Sequence, residues 1–153
     1  GKSGLFFNVL IKDLTEFYLE EFDALIVPGG FGAAKNLSNF ATTKGDFNVN
    51  EQVLAVCQAF AKANKPAGYM CIAPVMIPHI YGEDAQATIG NDRSIADTLM
   101  NIGLAHRDCA VDEIVLDKQR KLVSTPAYML ATSLMEAASG INKLVAKVIE
   151  LAD

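Results

Sequence analysis

The chain has 153 residues, 51% of them hydrophobic, with 13 basic against 18 acidic side chains and a formal charge of −5 at pH 7. That is the length of one domain, with enough apolar content to bury a substantial core, so a single domain is expected. An acidic balance without a basic stripe or stacked aromatics argues against nucleic acid as a partner, and no apolar run approaches the ~20 residues that cross a bilayer.

In chain order, Gly1-Lys2-Ser3 matches only the end of a P-loop and lacks its glycine-rich approach, so it marks no phosphate site. Residues 5–11 read as a short strand. Glu16, Glu20 and Glu21 sit in a solvated helix or connector and carry no catalytic role. Residues 23–27 form an apolar run expected to be a central parallel strand. It enters the glycine-rich turn Pro28-Gly29-Gly30-Phe31-Gly32, with a short helix over 34–40. An amphipathic helix follows over 48–62, with Asn48 and Glu51 at capping-box spacing and lysines before Pro66.

The strand 67–70 then ends on Cys71, and Pro74 falls in the first turn of the next helix, where its missing N–H does least damage. Residues 86–89 predict a strand and 94–101 a helix ended by Gly103. Strands over 114–116 and 121–124 flank a polar turn, which predicts a hairpin near the sheet edge. Two closing helices are expected over 128–138 and 141–151, divided by Ser139-Gly140, with Met129 and Met135 packed in the core. Alternation of strand and helix predicts an α/β fold with a mostly parallel sheet.

The chemistry concentrates at Tyr69-Met70-Cys71-Ile72-Ala73-Pro74. A nucleophile at a strand-to-helix elbow is held above the sheet, and the N–H groups that open the helix point into the same space. A helix N-terminus also favours the thiolate over the thiol. In open α/β sheets the functional crevice lies at the carboxyl ends of the strands, where both Gly30 and Cys71 are placed. Glycines there bring bare backbone N–H groups close to a ligand.

The remaining titratable residues are weaker candidates. Cys57 lies on the helix face Val53, Val56, Cys57 and Phe60 and is expected in the core, and Cys109 is expected at a strand end. Three scattered cysteines suit a reducing compartment and make no disulfide framework. With two histidines they make no zinc site, so no metal is expected. His79 follows Pro78 in the helix after the elbow and is expected to be packed or exposed. His106 is expected near the start of a strand. The chain shows no signal-type start, so it reads as cytoplasmic, or as belonging to an organellar matrix if a targeting segment has been removed upstream.

Pro28-Gly29-Gly30-Phe31-Gly32-Ala33-Ala34-Lys35-Asn36-Leu37-Ser38, Met70-Cys71-Ile72-Ala73-Pro74 and Val123-Ser124-Thr125-Pro126-Ala127-Tyr128-Met129 together resemble the PfpI/ThiJ superfamily, the class-I glutamine-amidotransferase-like fold, and within it the ElbB-type branch. The resemblance implies a flavodoxin-like three-layer sandwich, a catalytic cysteine at Cys71, and an oxyanion and substrate pocket drawn from Gly29, Gly30, Phe31, Ile72 and Pro126. It implies a cofactor-independent glyoxalase that converts glyoxal or a related small dicarbonyl to a hydroxy acid, working as a homodimer. An amidase or deglycase hydrolase, or a redox-sensing or partner-binding protein of the same fold, is the alternative. The chain departs from the superfamily in two places. It has no match to the early acidic residue that contacts the elbow cysteine, which makes it look N-terminally incomplete. It also has Ala87-Thr88-Ile89-Gly90-Asn91-Asp92 where many members place a histidine.

Overall fold

The computed structural model of the chain describes residues 18–28 and 51–153. The expected strand over 5–11, the helix over 34–40, the capping residue Asn48 and the turn residues Gly29, Gly30 and Phe31 lie outside the described residues. The elements, in chain order, are β1 (Leu25–Val27), α1 (Glu51–Lys62), β2 (Ala67–Met70), α2 (Ile77–Tyr81), β3 (Gln86–Ala87), α3 (Arg93–Asn101), β4 (Ala105–His106), β5 (Val115–Asp117), β6 (Leu122–Thr125) and α4 (Leu134–Ala152). Short 3-10 turns occupy Leu19–Glu21, Ala73–Met76 and Ala127–Met129.

The main sheet runs β1-β2-β6-β5. Its first three strands are parallel and β5 returns antiparallel beside β6, as expected of the hairpin. Strand β2 is buried at all four residues, which fits a central parallel strand covered on both faces. Its side chains alternate between two cores. Ala67 and Tyr69 join Cys57, Ile77 and Leu122 on the face covered by α1 and α2, whereas Met70 joins Val123, Leu144 and Val148 on the face covered by α4. A Cβ added at Gly68 would stand 2.6 Å from Leu144 Cδ2, so a glycine in mid-strand lets α4 settle close to the centre of the sheet. The result is an α/β fold of three layers.

The pair β3–β4 joins the main sheet through side chains. Gln86 N–H donates to Asp117 Oδ2 at 2.9 Å and Thr88 N–H to Ser124 Oγ at 3.0 Å, so alternate amides on one edge of β3 find acceptors on β5 and β6. This accounts for the burial of Asp117 and Ser124, since a buried polar group is tolerated when its bonds are made.

Three expectations are corrected. The closing segment is one helix, α4, running through Ser139-Gly140. A Cβ at Gly140 would lie 2.4 Å from Val111 O and 2.7 Å from Thr125 Oγ1, so this glycine serves close packing and ends nothing. The true start is capped by Ser133, whose hydroxyl accepts from Glu136 N–H at 3.3 Å. Met135 is 83% exposed in the first turn of α4 and does not belong to the core. His106 is the second residue of β4, near the start of a strand as expected, but Cys109 lies in the loop beyond it and not at a strand end.

Candidate functional site

Strand β2 delivers Cys71 to the carboxyl end of the sheet, one residue beyond its last rung. Cys71 has φ 60, the left-handed region that costs a residue with a side chain about 1–2 kcal/mol. Its N–H donates to Thr125 O at 3.0 Å, so the backbone is held by β6 at the moment it turns out of the sheet. Ile72 follows at φ −90 and ψ −13, and the 3-10 turn Ala73–Met76, with Pro74 in its first turn, runs directly into α2. Among the described residues no acceptor takes the N–H of Ile72. The elbow expected from the sequence is therefore present, with a half-buried thiol beside an unused amide.

The neighbouring strand makes a second bend of the same kind. After Thr125, Pro126 is buried with φ −66, and Ala127 is buried with φ 47. Cys71 packs against the cluster that contains Met70, Val123 and Ala127. Two non-glycine residues in left-handed conformation thus stand at the ends of adjacent strands. Composition did not foretell the second bend; the Thr-Pro pair directly after an apolar strand was its only local signal.

Of the other expected site residues, Gly29, Gly30 and Phe31 lie outside the described residues; β1 pairs with β2 as far as Val27 opposite Tyr69. Glu20 and Glu21 belong to a turn ahead of β1, and Lys65 donates to Leu19 O at 3.0 Å and Phe22 O at 2.6 Å. Lys65 precedes β2, so these carboxylates sit at the amino ends of the strands and cannot serve Cys71.

The remaining thiols are poor nucleophiles. Burial pushes the Cys57 thiol up, and Cys109 is pushed up to about 11, first by burial and then by Glu113 and Asp112. His79 is exposed on α2. The side chain of His106 is only 1% exposed, and its Nε2 accepts the N–H of Ile89 at 3.2 Å. Burial lowers its basicity, Asp108 opposes that shift, and Arg93 adds to it. Among the described residues no group of three or more His, Cys, Asp or Glu side chains could hold a metal ion, and no helix is long and apolar enough to cross a membrane.

No protein-family model matches the chain. It is 38% identical over 150 residues to the human glutamine amidotransferase-like class 1 domain-containing protein 3, mitochondrial, a match that covers 92% of this chain and 56% of that protein. A crystal structure of an isoprenoid biosynthesis protein with an amidotransferase-like domain from Ehrlichia chaffeensis superposes with a TM-score of 0.83 at 29% identity, over 93% of this chain and 65% of that one. The chain belongs to the glutamine amidotransferase-like class 1 domain family.

Drosophila melanogaster DJ-1beta shares the fold at 19% identity with a TM-score of 0.53, over 91% of this chain and 63% of that one. The layering is accordingly the flavodoxin-like arrangement of this family. The chain spans about half the length of the curated relatives it matches.

Proposed function

We propose that the chain carries the nucleophile of a cofactor-independent glyoxalase of the ElbB-type branch, acting on glyoxal or a related small dicarbonyl. The observation that carries this reading is the strained Cys71 elbow with the Ile72 amide beside it, which meets no acceptor among the described residues. Backbone strain of this kind persists where the surrounding structure enforces it, and it collects at functional sites.

In this reading Cys71 sulfur adds to one carbonyl of glyoxal and gives a hemithioacetal, whose oxyanion receives the N–H of Ile72 and, by resemblance, that of Gly30. A base removes the C–H proton from the carbon that bears sulfur, and an acid returns a proton to the neighbouring carbon. The first carbon is thereby oxidised to a thioester and the second reduced to an alcohol, with no outside oxidant. Water then hydrolyses the thioester, releasing the hydroxy acid and the thiol. Among the described residues, the side chains packed with Cys71 are apolar and supply no proton carrier. Gly29, Phe31 and the buried Pro126 shape the substrate pocket in this proposal.

By its length the chain is read as a single domain, and by the same resemblance it works as a homodimer, which a monomeric mass at micromolar concentration would overturn. An organellar matrix is its location in this reading, which the relatives named as mitochondrial support. The test of function is consumption of glyoxal with formation of the hydroxy acid, compared between wild type and Cys71→Ala. Equal consumption by both proteins rejects the mechanism, and ammonia release from glutamine in place of glyoxal turnover would favour the amidase reading.

A further inference from the structure

His106 has a chemical commitment that the thiol mechanism does not use. An imidazole that accepts at Nε2 is the neutral tautomer with its proton on Nδ1. Its donor, the N–H of Ile89, belongs to a fully buried residue just beyond the last rung of β3. The Nδ1 atom is buried without a hydrogen-bond partner, and the group facing it is Asp108 Oδ1 at 3.7 Å. Asp108 is held in turn by Arg93 Nη1 at 3.3 Å, and Arg93 Nε lies 3.7 Å from Asp97 Oδ1. Among the described residues, Asp108 from the segment after β4 and Arg93 from α3 are the charged groups that act on the ring, Asp97 reaching it only through Arg93; β3, consisting of Gln86 and Ala87, presents none.

The backbone that His106 holds runs along the carboxyl end of the sheet. Thr88 N–H donates to Ser124 Oγ, and Ser124 immediately precedes Thr125, whose carbonyl holds the Cys71 amide. Gly90, at φ 109, presses against Leu130 so closely that a Cβ there would lie 3.0 Å from Leu130 Cγ. Leu130 closes the turn that begins at Pro126 and Ala127. The 88–90 segment is therefore tied on one side to β6 and on the other to the bend beside the elbow.

We propose that His106 is a positioning residue for the Cys71 site: a neutral acceptor that pins the Ile89 amide, and through it the 88–90 rim, and that releases the rim when its ring gains a second proton. Protonation at Nε2 sets two N–H donors against each other, so the ring must turn away or the segment must retreat. The ring titrates lower when the rim is closed than when it is open, because burial disfavours the cation. The clasp is therefore fully closed above the ordinary value of 6.5 and weakens as pH falls through 6.5 toward the folded value. Its consequence for chemistry rests on the Cys71 reading, but the clasp itself does not.

The test is nitrogen NMR of the His106 ring together with the exchange protection of the Ile89 amide across pH 5 to 8, in wild type and in His106→Gln. Glutamine offers Oε1 where the ring offers Nε2, and it does not titrate. Wild type should show the Nδ1–H tautomer at neutral pH, with Ile89 protection falling about tenfold per pH unit below 6.5 until the folded ring has titrated. Protection in His106→Gln should stay level over that range. A ring that titrates at or above 6.5, or an Ile89 protection that ignores pH in wild type, overturns the clasp. If the glutamine variant does not fold, the wild-type titration alone decides. Alkylation of Cys71 by iodoacetamide reads the coupling without any assumed substrate. The ratio of wild-type to His106→Gln rates should be constant above pH 7 and depart from that value below 6.5. A ratio that stays flat while Ile89 loosens overturns the link to the Cys71 site and leaves the glyoxalase proposal standing.

Discussion

The two ends of the parallel sheet are built on opposite principles. At the amino ends, a buried carboxylate has its partners. Asp117, only 2% exposed, accepts from Gln86 N–H at 2.9 Å, Arg120 N–H at 3.2 Å and Arg120 Nη1 at 3.1 Å, and the same guanidinium donates to Glu83 O. Lys121 is left-handed there, but it closes a hairpin turn, where that conformation is ordinary. At the carboxyl ends, Cys71 and Ala127 are strained in the rim of the sheet, and the Ile72 amide meets no acceptor among the described residues. A scaffold satisfied at one end can hold reactive geometry at the other, which is the arrangement expected of open α/β sheets that bind ligands at the carboxyl ends of their strands.

The sharpest way to break this contrast is to remove the thiol. Cys71→Ala should abolish glyoxal turnover, a loss of several orders of magnitude if the covalent step is the only route, while thermal unfolding moves little. Next in size is the selectivity among thiols. With Cys109 pushed up to about 11, roughly one Cys109 in a thousand is a thiolate at pH 8, and Cys57 is held protonated by burial. Iodoacetamide followed by mass spectrometry should label Cys71 at pH 8 well before either of them. Equal labelling of Cys71 and Cys109 would mean that the elbow confers no special reactivity.

The amino end should respond in stability and leave Cys71 chemistry alone. Asp117→Ala removes an acceptor from two part-buried amides and a guanidinium, and should cost about 3 kcal/mol by urea unfolding, with Arg120 hydration moderating the loss. Gly140→Ala places a methyl against Val111 O and Thr125 Oγ1 and should cost about 1–3 kcal/mol. Because Thr125 also holds the Cys71 amide, this variant alone among the packing changes should alter the Cys71 alkylation rate.

How much of this was legible in the sequence depended on whether the signal was local. Strand β2, the elbow at Cys71 and the hairpin β5–β6 announce themselves by apolar runs bounded by turn residues. Helix α4 did not, because Ser139-Gly140 reads as a stop until the close approach of Val111 and Thr125 to Gly140 is known. The Ser133 and Glu136 spacing was the available counter-signal. The buried acceptor role of His106 and the side-chain rungs of Asp117 and Ser124 depend on partners 17, 31 and 36 residues away, and no local pattern encodes them.

The smallest effect is also the most direct test of strain. In an ordinary strand or helix, glycine is less stable than alanine by about 0.5–1 kcal/mol because the unfolded chain gains freedom. At φ 60 the order should reverse, since the Cβ itself creates the steric cost that glycine lacks. Cys71→Gly and Cys71→Ala both lose the thiol and its contacts, so their difference isolates the Cβ. The glycine variant should unfold at the higher urea midpoint, by about 1 kcal/mol. If alanine is the more stable of the two, the elbow relaxes in solution, and the strain that distinguishes the carboxyl end from the amino end is not a property of the folded protein.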